Sequence, residues 1–276
     1  MERSRRVYPV QRSRNGWLNG LMLFLSAVII LSGLVWRGGE EKLSIKLTAT
    51  PTPIPLDEAF DETAAQADLT LPQREWYALQ LGVFESKEAA EKLGEQYARR
   101  GAAGYVWLDG RYRTLAAVYS LKEDAQAVRQ QLSEKHEVET YLYQIRLSEM
   151  QLRINGMQGQ LEILQAAFAH ADELVQSLQT LSMALDRQEK GVAELISAVR
   201  GISDQLTTVS LRLKQRFAAP RHKTVNCLIQ CFDNFAEFAS ALDPDENEAG
   251  CGTKLKYQTF VSLEMLKQIY DSLSNT

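Results

Sequence analysis

The stretch WYALQLGVFESKEAAEKL, Trp76–Leu93, passes from strand alternation to helical spacing within 18 residues. Alternation places Trp76, Ala78, Gln80 and Gly82 on one face and Tyr77, Leu79, Leu81 and Val83 on the other, so Gln80 and Gly82 predict a face turned to water. Part of the stretch recurs 35 residues later: VFESKEAAEKL from Val83 aligns with VYSLKEDAQAV from Val118. Each copy is a strand end, a short turn and an amphipathic helix. Each is followed by a further strand pattern, AGYVWL at Ala103–Leu108 and VETYLYQI at Val138–Ile145. Two such β-α-β halves predict a ferredoxin-like βαββαβ module over residues 74–146, with two helices on one side of a four-stranded antiparallel sheet. In the strand order 4-1-3-2 usual for this fold, the first and third strands are central neighbours, which brings Gln80 beside Arg113. Arg111, Arg113 and Leu115 then share a face that the two helices leave open.

Outward from the module, the chain changes character on both sides. Residues 17–36, WLNGLMLFLSAVIILSGLVW, form an uncharged run bracketed by Trp17 and Trp36, and as a helix they span roughly 30 Å, the thickness of a bilayer's hydrocarbon core. A cleaved signal peptide and a buried core helix are the other readings of this run. The missing small-x-small cleavage site and the paired tryptophans favour a permanent single-pass anchor. Arg3, Arg5, Arg6, Arg12 and Arg14 precede the run, so the tail 1–16 is expected in the cytoplasm and everything beyond the anchor outside it. Residues 37–73, with TATPTPIPL, read as an extended extracytoplasmic linker.

Beyond the module, residues 147–276 read as helical. Apolar residues at spacings of 3 and 4 run from Met150 through Ile154, Met157, Leu161, Leu164, Phe168 and onward to Leu178, and resume from Leu185 to Leu213. Such a seam requires a partner, either a second copy in a coiled coil through residues 147–216 or the chain's own later helices in a folded-back bundle. LDRQEKG near Asp186 suits a bend, Pro220 a stop, and two shorter helices are expected at 223–242 and 257–273, separated by DPDENEAGCGT. The whole is α+β: a ferredoxin-like module after an anchor and linker, followed by an all-α region.

The module resembles the SPOR (sporulation-related repeat) domain family. Tyr77, Gln80, Gly82 and Phe84 match its first-strand pattern, and Tyr112 and Arg113 its third. The resemblance implies a bacterial module that binds peptidoglycan glycan strands lacking stem peptides, at septa, in cell division or sporulation. It implies that Gln80, Arg111 and Arg113 carry the glycan contacts on the open sheet face. An amide suits sugar hydroxyls and N-acetyl groups, and a guanidinium can fork onto a lactyl carboxylate. Val83 and Ala117-Val118 depart from the family's common residues at strand ends.

Other function classes find little support. Net charge is -4, and residues 74–146 hold 11 basic and 11 acidic side chains, so no nucleic-acid partner is expected. His136, His170 and His222 are scattered, and no nucleophile, metal or cofactor motif occurs, so the chain is not expected to be an enzyme. Cys227, Cys231 and Cys251 allow three readings: buried thiols, a Cys231–Cys251 disulfide outside the cytosol, or a metal site with His222. An interaction scaffold, with the C-terminal helices recruiting a partner, is the alternative to glycan binding.

Overall fold

The computed structural model describes residues 63–274. The expected anchor, the N-terminal tail and most of the linker lie outside the described residues. Among those described, no helix is long and apolar enough to cross a membrane.

In the described residues six strands and six helices follow one another: β1 (Ala64–Leu71), β2 (Arg74–Phe84), α1 (Lys87–Ala98), β3 (Tyr105–Asp109), β4 (Arg111–Tyr119), α2 (Lys122–His136), β5 (Tyr141–Leu147), β6 (Met150–Met157), α3 (Gln158–Asp186), α4 (Val192–Arg216), α5 (Lys223–Ser240) and α6 (Glu248–Ser274). The repeat is realised as two strand-turn-helix halves. Ser86 caps α1 by accepting from the Ala89 amide at 3.3 Å, while Glu123 and Asp124 sit in the first turn of α2, where its dipole favours acid. The antiparallel sheet has the order β3-β4-β2-β5, so the first and third strands of the module are central neighbours, as the fold pattern predicts.

Two register slips, between Ala78 and Gln80 and between Gln80 and Gly82, interrupt the β2–β4 ladder. They explain Gly82. A Cβ there would stand 2.8 Å from the Phe84 ring and 3.1 Å from Leu93 of α1, so the glycine belongs to the helix-covered side, not beside Gln80 as plain alternation places it. The same irregularity sends both Ala116 and Ala117 toward α1 and α2, in a small cluster with Leu79, Tyr119 and Ala125.

The opposite face of the sheet is where the fold departs most from expectation. Instead of lying open, it is covered over much of its length by α3 and α6. Trp76 is 1% exposed and Ala78 and Leu115 are 0%, and Tyr105, Trp107, Val118, Ile145 and Leu147 are buried with them in one core shared with the helices. These apolar side chains outweigh Gln80 in deciding the fate of the face, since each large one gains about 1.5–3 kcal/mol from leaving water. Polar contacts seal the join. Tyr105 stacks on Phe260 with ring centroids 5.3 Å apart and donates to Glu264, Arg74 forms a two-pronged ion pair with Asp172, and the Tyr270 hydroxyl donates to the Pro72 carbonyl at 2.9 Å.

The four C-terminal helices close an antiparallel bundle in which α3 and α6 face the sheet and α4 and α5 pack behind them. The apolar seam is therefore satisfied within the chain: Leu161, Phe168, Val175, Leu178, Leu185, Leu195, Val199, Leu206 and Leu213 are all buried. The bend falls between Asp186 and Val192, and α4 stops at Arg216 before Pro220. Two boundaries differ from expectation. The helical region begins at Gln158 rather than Leu147, because Met150–Met157 pairs antiparallel with Ala64–Leu71, drawing part of the expected linker into a two-stranded ribbon against α3. And α6 begins at Glu248 rather than Tyr257, with the Asn247 side chain accepting from the Gly250 amide at 2.8 Å and Gly252 lying close to Leu185.

The cysteines are three buried free thiols, so the Cys231–Cys251 disulfide is not formed. Cys227 and Cys231 lie one turn apart on α5, whereas Cys251 is on α6. Among the described residues, no group of three or more His, Cys, Asp and Glu could hold a metal ion. Burial pushes the Cys231 thiol up to about 12, with Cys227 adding to the shift. At pH 8 a water-soluble disulfide reagent is expected to leave the native protein unmodified and to modify all three thiols after denaturation; rapid labelling of the native protein would contradict this packing.

Candidate functional site

What remains uncovered is the end of the sheet farthest from the bundle's cover. There β2 supplies Gln80, β4 supplies Arg113 and Arg111, β3 supplies Asp109, and β5 supplies Tyr141 and Tyr143. Gly110, at φ +64°, makes the tight link between β3 and β4 that sets Asp109 opposite Arg111.

Gln80 and Arg113 meet as the strand order predicts, with Arg113 Nη1 donating to Gln80 Oε1 at 2.8 Å. The guanidinium is held on further sides. Its Nη2 lies 3.5 Å from Asp109, and its carbon sits 4.5 Å from the centre of the Tyr143 ring, a cation–π contact. Tyr143 in turn donates its hydroxyl to Asp109 at 2.8 Å, crossing the sheet from one edge strand to the other. Burial, reinforced by the Asp109 carboxylate, pushes the Tyr143 hydroxyl up to about 12, so it stays a neutral donor across the physiological range.

This network changes the division of labour among the expected site residues. Arg113, its side chain only 23% exposed, is committed to Gln80 and Asp109, and a carboxylate could fork onto it only by displacing Asp109. Its hydrogen bond fixes the orientation of the Gln80 amide. With Oε1 facing Arg113, Gln80 offers a ligand the two donors of its amide nitrogen. Arg111 is the accessible cation: its side chain is 61% exposed and its ion pair is a 3.4 Å contact with Glu85, itself 86% exposed. A pair so wetted costs little to open.

Tyr141, which the family resemblance does not single out, stands beside them. It is 60% exposed and directly opposite Gln80 in the β2–β5 ladder, so the two side chains share a face. The signal was present in the alternation of VETYLYQI, which puts Tyr141 and Tyr143 on one side. Together the uncovered end presents an amide, an aromatic ring and a hydrated guanidinium. That set suits a neutral or weakly anionic sugar chain: donors for hydroxyl and acetamido oxygens, and a face for the apolar side of a pyranose ring.

The segment is thus a ferredoxin-like sheet bearing a small polar and aromatic cluster at one exposed end. Residues 75–144 match the family model of the SPOR domain, and this segment of the chain is a SPOR domain. The match spans the four-stranded sheet with α1 and α2 and excludes the ribbon and the bundle. SPOR is a family of peptidoglycan-binding domains, not of catalytic ones. No curated protein and no solved structure matches the chain.

Proposed function

We propose that the protein is a membrane-anchored, extracytoplasmic binder of denuded peptidoglycan glycan strands, acting in cell division or sporulation. Residues 17–36 are its anchor, and Gln80, Arg111, Arg113 and Tyr141 form its glycan site. The observation that carries this reading is the SPOR match together with the Gln80–Arg113 pair standing at the uncovered end of the sheet. Gln80 donates to sugar or acetamido oxygens, Arg111 meets the lactyl carboxylate exposed by peptide removal, and Arg113 holds Gln80 in register.

Burial of the remaining sheet face beneath α3 and α6 favours a second reading, in which the helices recruit a protein partner and glycan binding is weak. Co-sedimentation with purified sacculi separates the two. A chain lacking residues 1–36 is expected to pellet more after amidase treatment of the sacculi, and Gln80→Ala and Arg111→Ala each to weaken that binding about tenfold, the loss of one good hydrogen bond or ion contact. Equal pelleting before and after amidase, or unchanged binding by both variants, would favour the scaffold.

A further inference from the structure

We propose that the helical bundle sets the length of glycan this domain reads, confining it to a short segment of about two to three sugars rather than an extended strand, a single sugar in a β-linked chain advancing roughly 5 Å, or one and a half strand residues. The inference rests on the glycan-binding reading and specifies its substrate.

The argument is one of available surface. β2 runs 11 residues, so a wholly open face would offer a track of about 36 Å along the strands. Trp76, Ala78 and Leu115, at 1%, 0% and 0% exposure, close it as far as Gln80, and Trp107, at 3% exposure beside Arg113, is buried at the β3 edge of what remains. From Gln80 to the strand's end at Phe84 the remaining length is about 13 Å, and because β5 begins opposite Gln80 the width beyond that point is that of three strands, about 10 Å. The closure is built like a core and not like a transient lid. Phe260 is fully buried against Tyr105, Arg74 and Asp172 pair through two hydrogen bonds, and Lys256 of α6 bridges the Gly101 carbonyl at 3.1 Å and Asp186 at 2.7 Å. Binding energy from a few sugar contacts does not repay opening such an interface. A glycan lying along the strands must therefore stop at the bundle, and one lying across them meets only the Tyr141–Gln80–Arg111 end.

The test is titration calorimetry with peptide-free oligosaccharides of alternating N-acetylglucosamine and N-acetylmuramic acid, as di-, tetra- and octasaccharide, using the chain without residues 1–36. Affinity is expected to rise from di- to tetrasaccharide and then to change by no more than about threefold to the octasaccharide, a gain that additional binding registers alone provide. Hydrogen exchange run on the octasaccharide complex is expected to leave the protection of Trp76–Ala78 and of α6 unchanged. A gain above about tenfold between tetra- and octasaccharide, or loss of α6 protection on binding, would overturn the length limit while leaving glycan binding intact. Failure of every oligosaccharide and of sacculi to bind would overturn the glycan reading itself, and the length limit with it.

Discussion

A chain ended after Arg146 is expected to lose its native structure, although that fragment contains the whole SPOR match. Removing the bundle returns Trp76, Tyr105, Trp107, Leu115, Val118 and Ile145 to water on one face of the sheet. At about 1.5–3 kcal/mol for each large apolar side chain, the loss is comparable with the 5–15 kcal/mol by which a typical domain is stable. Ending there also removes β6, the partner of β1. The expected result is a fragment that binds hydrophobic dye, lacks the near-ultraviolet signature of packed tryptophan and shows no sharp melt. A chain ended after Arg146 that stays monomeric and melts cooperatively near the full chain's midpoint would mean that the sheet does not depend on the bundle.

The second large effect is expected from a single methyl group. Gly94 of α1 and Gly104, just before β3, approach each other backbone to backbone: a Cβ on Gly94 would lie 2.4 Å from the Gly104 carbonyl oxygen. Neither partner can yield cheaply, because the obstacle is main chain and Gly104 is at φ +63°. Gly94→Ala is expected to destabilise the protein by about 3 kcal/mol, lowering the melting midpoint by roughly 10 °C in a domain of this size. Gly201→Ala supplies the contrast. It lies inside α4 with nothing within 4 Å of its added Cβ, so the same change is expected to stabilise by about 0.5–1 kcal/mol. Equal melting shifts of one sign in the two variants would contradict the close approach of α1 and β3.

What the sequence made legible was local. The repeat fixed the strand-helix halves, and the strand order usual for the fold brought Gln80 to Arg113, where the 2.8 Å hydrogen bond is found. Three features were not legible, each for a physical reason. Met150 and Ile154 are four apart, a spacing that serves a helix face and one side of a strand equally, so periodicity alone predicts the start of a helix there; Leu152 between them is the residue that fits only the strand. Gly82 changed sides because a bulge breaks alternation, and bulges leave little trace in a single sequence. The fate of the sheet's second face depended on contact between segments far apart in the chain, such as Arg74 with Asp172, which no local period encodes. At the candidate site, the Arg113 contacts with Asp109 and Tyr143 follow from the same long-range geometry, whereas the place of Tyr141 on that face is legible from alternation.

The ribbon has a mechanical meaning. Ala64 pairs with Met157, and the Thr63 carbonyl accepts from the Gln158 amide at 2.9 Å, so the chain arriving from the N-terminal side is fastened at the very start of α3. A load on the chain at Thr63 therefore meets the eight-pair ladder between β1 and β6 before it reaches β2 and the sheet. The ribbon is thus a clasp that joins the two ends of the segment holding the whole sheet, β2 to β5, so that segment does not fray from either end while the ladder holds.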